Sequence, residues 1–115
     1  MEKILYEYIK PNKSYEDFKK ELIIDHQGVF YYDKLYYYII PLKEVSEFYS
    51  KFRKGCESEI KSHIPEQYHI YINYNKFYSD CLYNSYEYDF LSSMNIIDTK
   101  YKIGIYNNVP NIPKL

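Results

Sequence analysis

Residues 28–41 read Gly-Val-Phe-Tyr-Tyr-Asp-Lys-Leu-Tyr-Tyr-Tyr-Ile-Ile-Pro: two runs of strand-forming residues separated by the polar pair Asp33-Lys34. Aromatic and β-branched residues on both sides of a two-residue break are the pattern of a β-hairpin, although Asp-Lys tolerates positive φ less well than Asn-Gly or Asp-Gly. A two-residue turn pairs Tyr32 with Leu35, Tyr31 with Tyr36 and Phe30 with Tyr37. Phe30, Tyr32, Leu35, Tyr37 and Ile39 then share one face of the sheet, and Val29, Tyr31, Tyr36, Tyr38 and Ile40 share the other. Neither face is polar. A sheet with one side in water ordinarily alternates apolar with polar residues. The second face therefore calls for a cover, either the C-terminal segment or a partner.

Working outward, Lys3 to Lys10 carries Ile4, Tyr6 and Tyr8 on one parity and Leu5, Glu7 and Ile9 on the other, which reads as a half-buried strand ended by Pro11. Ser14 starts a short helix to about Leu22, with Glu16 and Asp17 in its positive first turn and Tyr15, Phe18 and Leu22 on one face. Asp25 to Gly28 is a turn or bulge with Gly28 as its hinge.

After the hairpin, Pro41 suits a helix start. Leu42, Val45, Phe48, Phe52, Cys56, Ile60 and Ile64 recur at spacings of three and four, which predicts one long amphipathic helix. Glu47/Lys51 and Glu57/Lys61 are i,i+4 pairs on its outer faces, and Gly55 is a weak point where the helix kinks or divides.

Beyond Pro65, Tyr68, Ile70, Ile72 and Tyr74 alternate with His69, Tyr71 and Asn73 as a further strand. Residues 75–84 fit a loop or a helical turn around Phe77, Cys81 and Leu82. Ser85 caps a short helix through Phe90, Leu91 and Met94, Tyr101 to Tyr106 alternate as a last strand, and the tail from about 107 to 115 is irregular, with Pro110 and Pro113 unable to pair.

The first 75 residues thus have the order β-α-β-β-α-β, the split βαβ or ferredoxin-like arrangement. The expectation is a single α+β domain spanning 1–115, with two helices on one face of an antiparallel sheet and a C-terminal helix and strand appended.

Composition narrows the function classes. The chain has 115 residues, 18 of them Tyr, with no Trp and no Ala, and aromatic residues make up 21% of it, which argues against disorder. Abundant Lys, Ile, Asn and Tyr beside scarce Arg and Gly match coding by AT-rich DNA, as in an AT-rich bacterium, its phages or a large DNA virus. Fifteen basic against sixteen acidic residues leave a net charge of −1, so no global field holds a polyanion or a membrane surface. No apolar run approaches the ~18 residues of a membrane span. Cys56 and Cys81 are too few for a disulfide framework or a paired zinc site and read as reduced, buried thiols of a cytoplasmic protein.

Three constellations contain chemically competent residue types. Asp25-His26 is a conceivable acid–base pair, but neighbours on a strand point to opposite faces. Cys56 and His63, seven apart on one helical face, together with His69, have metal-ligand chemistry but read better as a core thiol and solvated imidazoles. Cys81 with His69 and Asp80 has the types of a thiol hydrolase without its local signature. No glycine-rich phosphate loop or nucleophile elbow exists, so no catalytic residue, cofactor or metal is assigned and the reading leans away from an enzyme.

Sheet tyrosines would suit base stacking as in RNA-recognition motifs, but Gly28-Val-Phe-Tyr31 lacks their basic octamer residue and Arg53 is the only arginine. Nucleic acid is possible but not favoured. Tyrosine is enriched at protein–protein hot spots, and Tyr31, Tyr36 and Tyr38, with Tyr71 from the later strand, are the expected contact residues. The expected partner is a protein, with a second copy of the chain as one candidate. The expected function is inhibition or neutralisation of a macromolecule, as in toxin immunity, antitoxin action or phage anti-defence, with a single-strand binder and a small His/Cys enzyme as alternatives.

Overall fold

The computed structural model describes all residues from Met1 to Leu115. The elements are α1 (Glu2–Ile9), α2 (Tyr15–Glu21), β1 (Ile23–Ile24), β2 (Phe30–Tyr32), β3 (Leu35–Pro41), α3 (Leu42–His63), a 3-10 helix (Glu66–Tyr71), α4 (Tyr74–Tyr83), α5 (Tyr86–Ser92), β4 (Asn95–Ile97) and β5 (Tyr101–Tyr106). They form two compact units, one from Met1–Leu42 with Ser93–Ile112 and the other from Lys43–Ser92 with Pro113–Leu115.

The first unit holds a five-stranded sheet in the order β1-β2-β3-β5-β4, antiparallel throughout. The hairpin has the expected register, with Phe30 opposite Tyr37, Tyr31 opposite Tyr36 and Tyr32 opposite Leu35. Asp33 and Lys34 both adopt positive φ, at 47° and 69°, which is the backbone of a type I′ turn despite the absence of glycine. Asp25 organises the preceding loop: its carboxylate accepts the N–H of Gln27 at 2.8 Å and of Val29 at 2.9 Å, and Gly28 supplies a φ of 83°.

Helices α1 and α2 cover the sheet face bearing Phe30, Tyr32, Tyr37, Ile39 and Ile103, and Leu5 and Phe18 are sealed from solvent between them. Burial of each such side chain contributes about 1.5–3 kcal/mol. Tyr6 meets Tyr15 and Phe18 at ring-centroid distances of 5.3 and 5.4 Å, and Phe18 meets Tyr32 edge-on at 4.8 Å. Ser14 caps α2 as expected, accepting the Asp17 N–H at 3.2 Å.

The ferredoxin-like order does not hold, because two expected strands are helical. Of the expected strand Lys3 to Lys10, all but Lys10 lies in α1. Apolar residues stand at so many of its positions that periods of 2 and 3.6 both fit, and the helix sends Leu5, Ile4, Tyr6 and Ile9 together into the core. Lys10 ends it with φ 53°, its N–H bonded to the Tyr6 carbonyl at 2.9 Å, and Pro11 prevents continuation. The second misread strand, Tyr68 to Tyr74, is the 3-10 helix and the start of α4. The sheet is completed by β1, β4 and β5 instead.

In β5, Gly104 lies opposite Tyr38, and Tyr106 folds its ring back over it. A Cβ at Gly104 would stand 2.0 Å from the Tyr106 hydroxyl oxygen, so the ring occupies the space a side chain would need.

The second unit is helical. Helix α3 is continuous through Gly55 and buries Val45, Phe48 and Cys56. Arg53 pairs with Glu57 at 3.6 Å, while the Lys61 ammonium lies 5.2 Å from the centre of the Tyr74 ring. Helix α4 is capped by Asn73, which accepts the Lys76 N–H at 3.1 Å, and the Ser85 hydroxyl accepts the Tyr88 N–H at the start of α5. No helix in either unit is long and apolar enough to cross a membrane.

Candidate functional site

The two most exposed large apolar residues of the chain lie side by side on the 3-10 helix, Ile70 at 82% and Tyr71 at 78%, and Tyr68 on the same helix is 53% exposed. Pro65 starts this helix and His69 fixes it to the end of α3. The His69 imidazole Nε2 bonds the Ile64 carbonyl at 2.7 Å and lies 3.2 Å from the Lys61 carbonyl, which satisfies acceptors that a helix C-terminus otherwise leaves open. Ile60 of α3 and Ile64 just past its end, Tyr68, Tyr71 and Ile72, and Phe77 of α4 line a groove of about 470 Å³ together with Lys76 and Asp80. Its chemistry is that of a mainly apolar slot that also carries two opposite charges.

Of the four tyrosines expected to meet a partner, Tyr71 is on this surface, on a 3-10 helix rather than the expected strand. Tyr31, Tyr36 and Tyr38 belong to the first unit and share one sheet face, as the hairpin register requires. Tyr31 and Tyr36 lie ring to ring at 4.7 Å. Val29 and Ile40 on that face are 2% and 1% exposed and the three tyrosines are half-buried. Of the four, Tyr71 is therefore the most exposed.

The chemically competent clusters are scattered. Asp25 is spent on its loop N–H groups, and His26 is exposed. His63 Nδ1 lies 2.8 Å from the Glu59 carbonyl and His69 binds the end of α3, so neither imidazole turns toward Cys56. No three His, Cys, Asp or Glu side chains converge. Cys56 faces Cys81 instead, and burial, aided by that neighbouring thiol, pushes the Cys56 thiol from near 9 up to about 11. Burial likewise raises the Tyr37 and Tyr49 phenols.

Against protein-family models, curated proteins and solved structures, the chain has no match. The surface is read from its own residues alone. Tyr68 and Ile70 were not named as contact residues because strand alternation put them on the opposite parity from Tyr71. The signals that point to helical rather than extended backbone there are Pro65, which suits a helix start, and Asn73, which suits an N-cap.

Proposed function

We propose that the chain is a small non-enzymatic binding protein that inhibits or neutralises a protein partner. The observation that carries this reading is the exposed trio Tyr68, Ile70 and Tyr71 beside an apolar groove, on a turn already fastened by His69. Burial of large apolar side chains returns about 25 cal/mol per Å². A turn held before docking loses little conformational freedom on binding, which favours affinity. Tyrosine adds a hydroxyl that adapts to a partner's polar groups, as at protein–protein hot spots. The AT-rich composition supports a microbial or phage setting, in which toxin immunity, antitoxin action and inhibition of a defence enzyme are the fitting roles, carried out in the cytoplasm. Tyr31, Tyr36 and Tyr38 stand as a second contact set on the sheet.

The test is co-purification of the tagged chain from its native host. A stoichiometric protein partner, or self-association, is expected, and the Ile70→Ser/Tyr71→Ser variant is expected to lose it while keeping its helical spectrum. A complex that survives this change but is lost with Tyr36→Ser/Tyr38→Ser moves the contact to the sheet. Salt-dependent binding to single-stranded nucleic acid with no protein partner overturns the reading.

A further inference from the structure

The groove side of α4 is a stripe at helical spacing. Asn73, Lys76, Phe77 and Asp80 all line the groove, and Tyr83, 60% exposed, continues the same face one turn further on. Lys76 and Asp80 are exposed and Phe77 is half-buried. Ion pairs join Lys13 to Glu21, Lys19 to Glu16 and Arg53 to Glu57, but neither Lys76 nor Asp80 takes part in one. Each also opposes the dipole of its own helix. Because α4 runs from Tyr74 to Tyr83, the Lys76 ammonium sits in the first turn, at the positive end, and the Asp80 carboxylate sits in the last turn, at the negative end.

A second α4 laid antiparallel on the first relieves both. Its negative end comes beside Lys76 and its positive end beside Asp80. The stripe is symmetric in the required way, since Lys76 and Asp80 are equidistant from position 78, and so are Asn73 and Tyr83. A twofold axis at that position sets each Lys76 opposite Asp80 of the other copy and each Tyr83 opposite Asn73. Parallel packing would instead set Lys76 against Lys76 and Asp80 against Asp80.

We propose that the chain forms a twofold dimer in which α4 of one copy packs antiparallel on α4 of the other. Reciprocal Lys76–Asp80 ion pairs flank the two Phe77 rings, and each Tyr83 ring seats over the other copy's groove between Tyr71 and Asn73. The inference rests on the reading of this surface as a protein contact and names a second copy as the partner. A twofold interface uses one patch twice and so requires a patch complementary to itself, which this stripe is in both charge and dipole. Burial of the rings supplies the attraction, and the ion pairs fix register and orientation.

The test is sedimentation of the purified full chain, expected at twice its 14.1 kDa mass. Lys76→Glu and Asp80→Lys, each alone, set like charges opposite one another and are expected to weaken the dimer about tenfold or more. Mixed together, the two variants face acid with base at both positions and are expected to associate as tightly as the unmodified chain, a rescue that neither a misfolded variant nor a contact elsewhere would produce. The double exchange Lys76→Glu/Asp80→Lys places both charges in accord with the dipole of α4, so its folding is not at risk. It is expected to dimerise with itself and not with the unmodified chain. A chain that sediments as a monomer, a dimer indifferent to the single substitutions, or single variants that fail to rescue each other overturns the proposal, as does free mixing of the double exchange with the unmodified chain. If a monomeric chain still captures a different protein through Ile70 and Tyr71, only the second copy falls as partner; if it captures none, the contact reading falls with it.

Discussion

The sheet-bearing unit seals Leu5, Phe18 and Ile103 completely and leaves Ile23 and Ile96 exposed on its edge strands, whereas the helical unit leaves Tyr68, Ile70 and Tyr71 together in water beside a groove. Both units are rich in tyrosine, so composition does not separate them. Backbone pairing does. In the sheet, each residue's face is dictated by register, and α1 and α2 close that face with two fully buried side chains. A short 3-10 helix held by one histidine imposes no such alternation, and its apolar residues face outward. The same residue type therefore carries packing in one region and surface chemistry in the other.

The contrast is broken most severely by Phe18→Ala. Removal of a fully buried ring is expected to cost about 3–5 kcal/mol in urea denaturation. A loss below 1 kcal/mol would show that the sheet unit is no better packed than its helical neighbour. The two glycines sharpen the comparison next. Gly104 lies under the Tyr106 ring, so Gly104→Ala is expected to cost about 1–3 kcal/mol by overpacking. Gly55 sits within α3 with open space where a Cβ would go, so Gly55→Ala is expected to stabilise by about 0.5–1 kcal/mol. Equal signs for the two substitutions in thermal melts would remove the distinction. The smallest effect belongs to Ile70→Ser/Tyr71→Ser, expected to shift stability by no more than about 0.5 kcal/mol. A larger loss would make the exposed turn a packing element rather than a contact surface.

The same contrast governs what could be read from the residues. Register made the hairpin legible down to its individual pairs, and the spacing from Leu42 to Ile60 made α3 legible, because long periodic patterns admit one reading. Lys3 to Lys10 failed for the opposite reason: apolar residues on both parities satisfy either period, and only the contact with Phe18 and the sheet selects the helix. Tyr68 to Tyr74 failed because alternation in a short aromatic-rich segment does not specify a partner strand. That misreading hid the candidate surface, since it set Ile70 and Tyr68 on the opposite parity from Tyr71 when all three are exposed together. Cys56 and Cys81 were legible only as separate core thiols, and in the structure Cys56 is buried and Cys81 half-buried.

The sheet's central pair, β3 and β5, joins residues 35–41 to residues 101–106, and all the helices of the second unit are encoded between them. During synthesis β3 leaves the ribosome long before its partner. Its Tyr-Tyr-Tyr-Ile-Ile edge must wait, unpaired on one side, while α3, α4 and α5 are made. Non-local pairing of this kind slows folding and exposes a strand edge able to pair with other chains. The order in which the chain is made thus leaves the nascent protein most prone to aggregate at the strand that becomes the centre of its finished sheet.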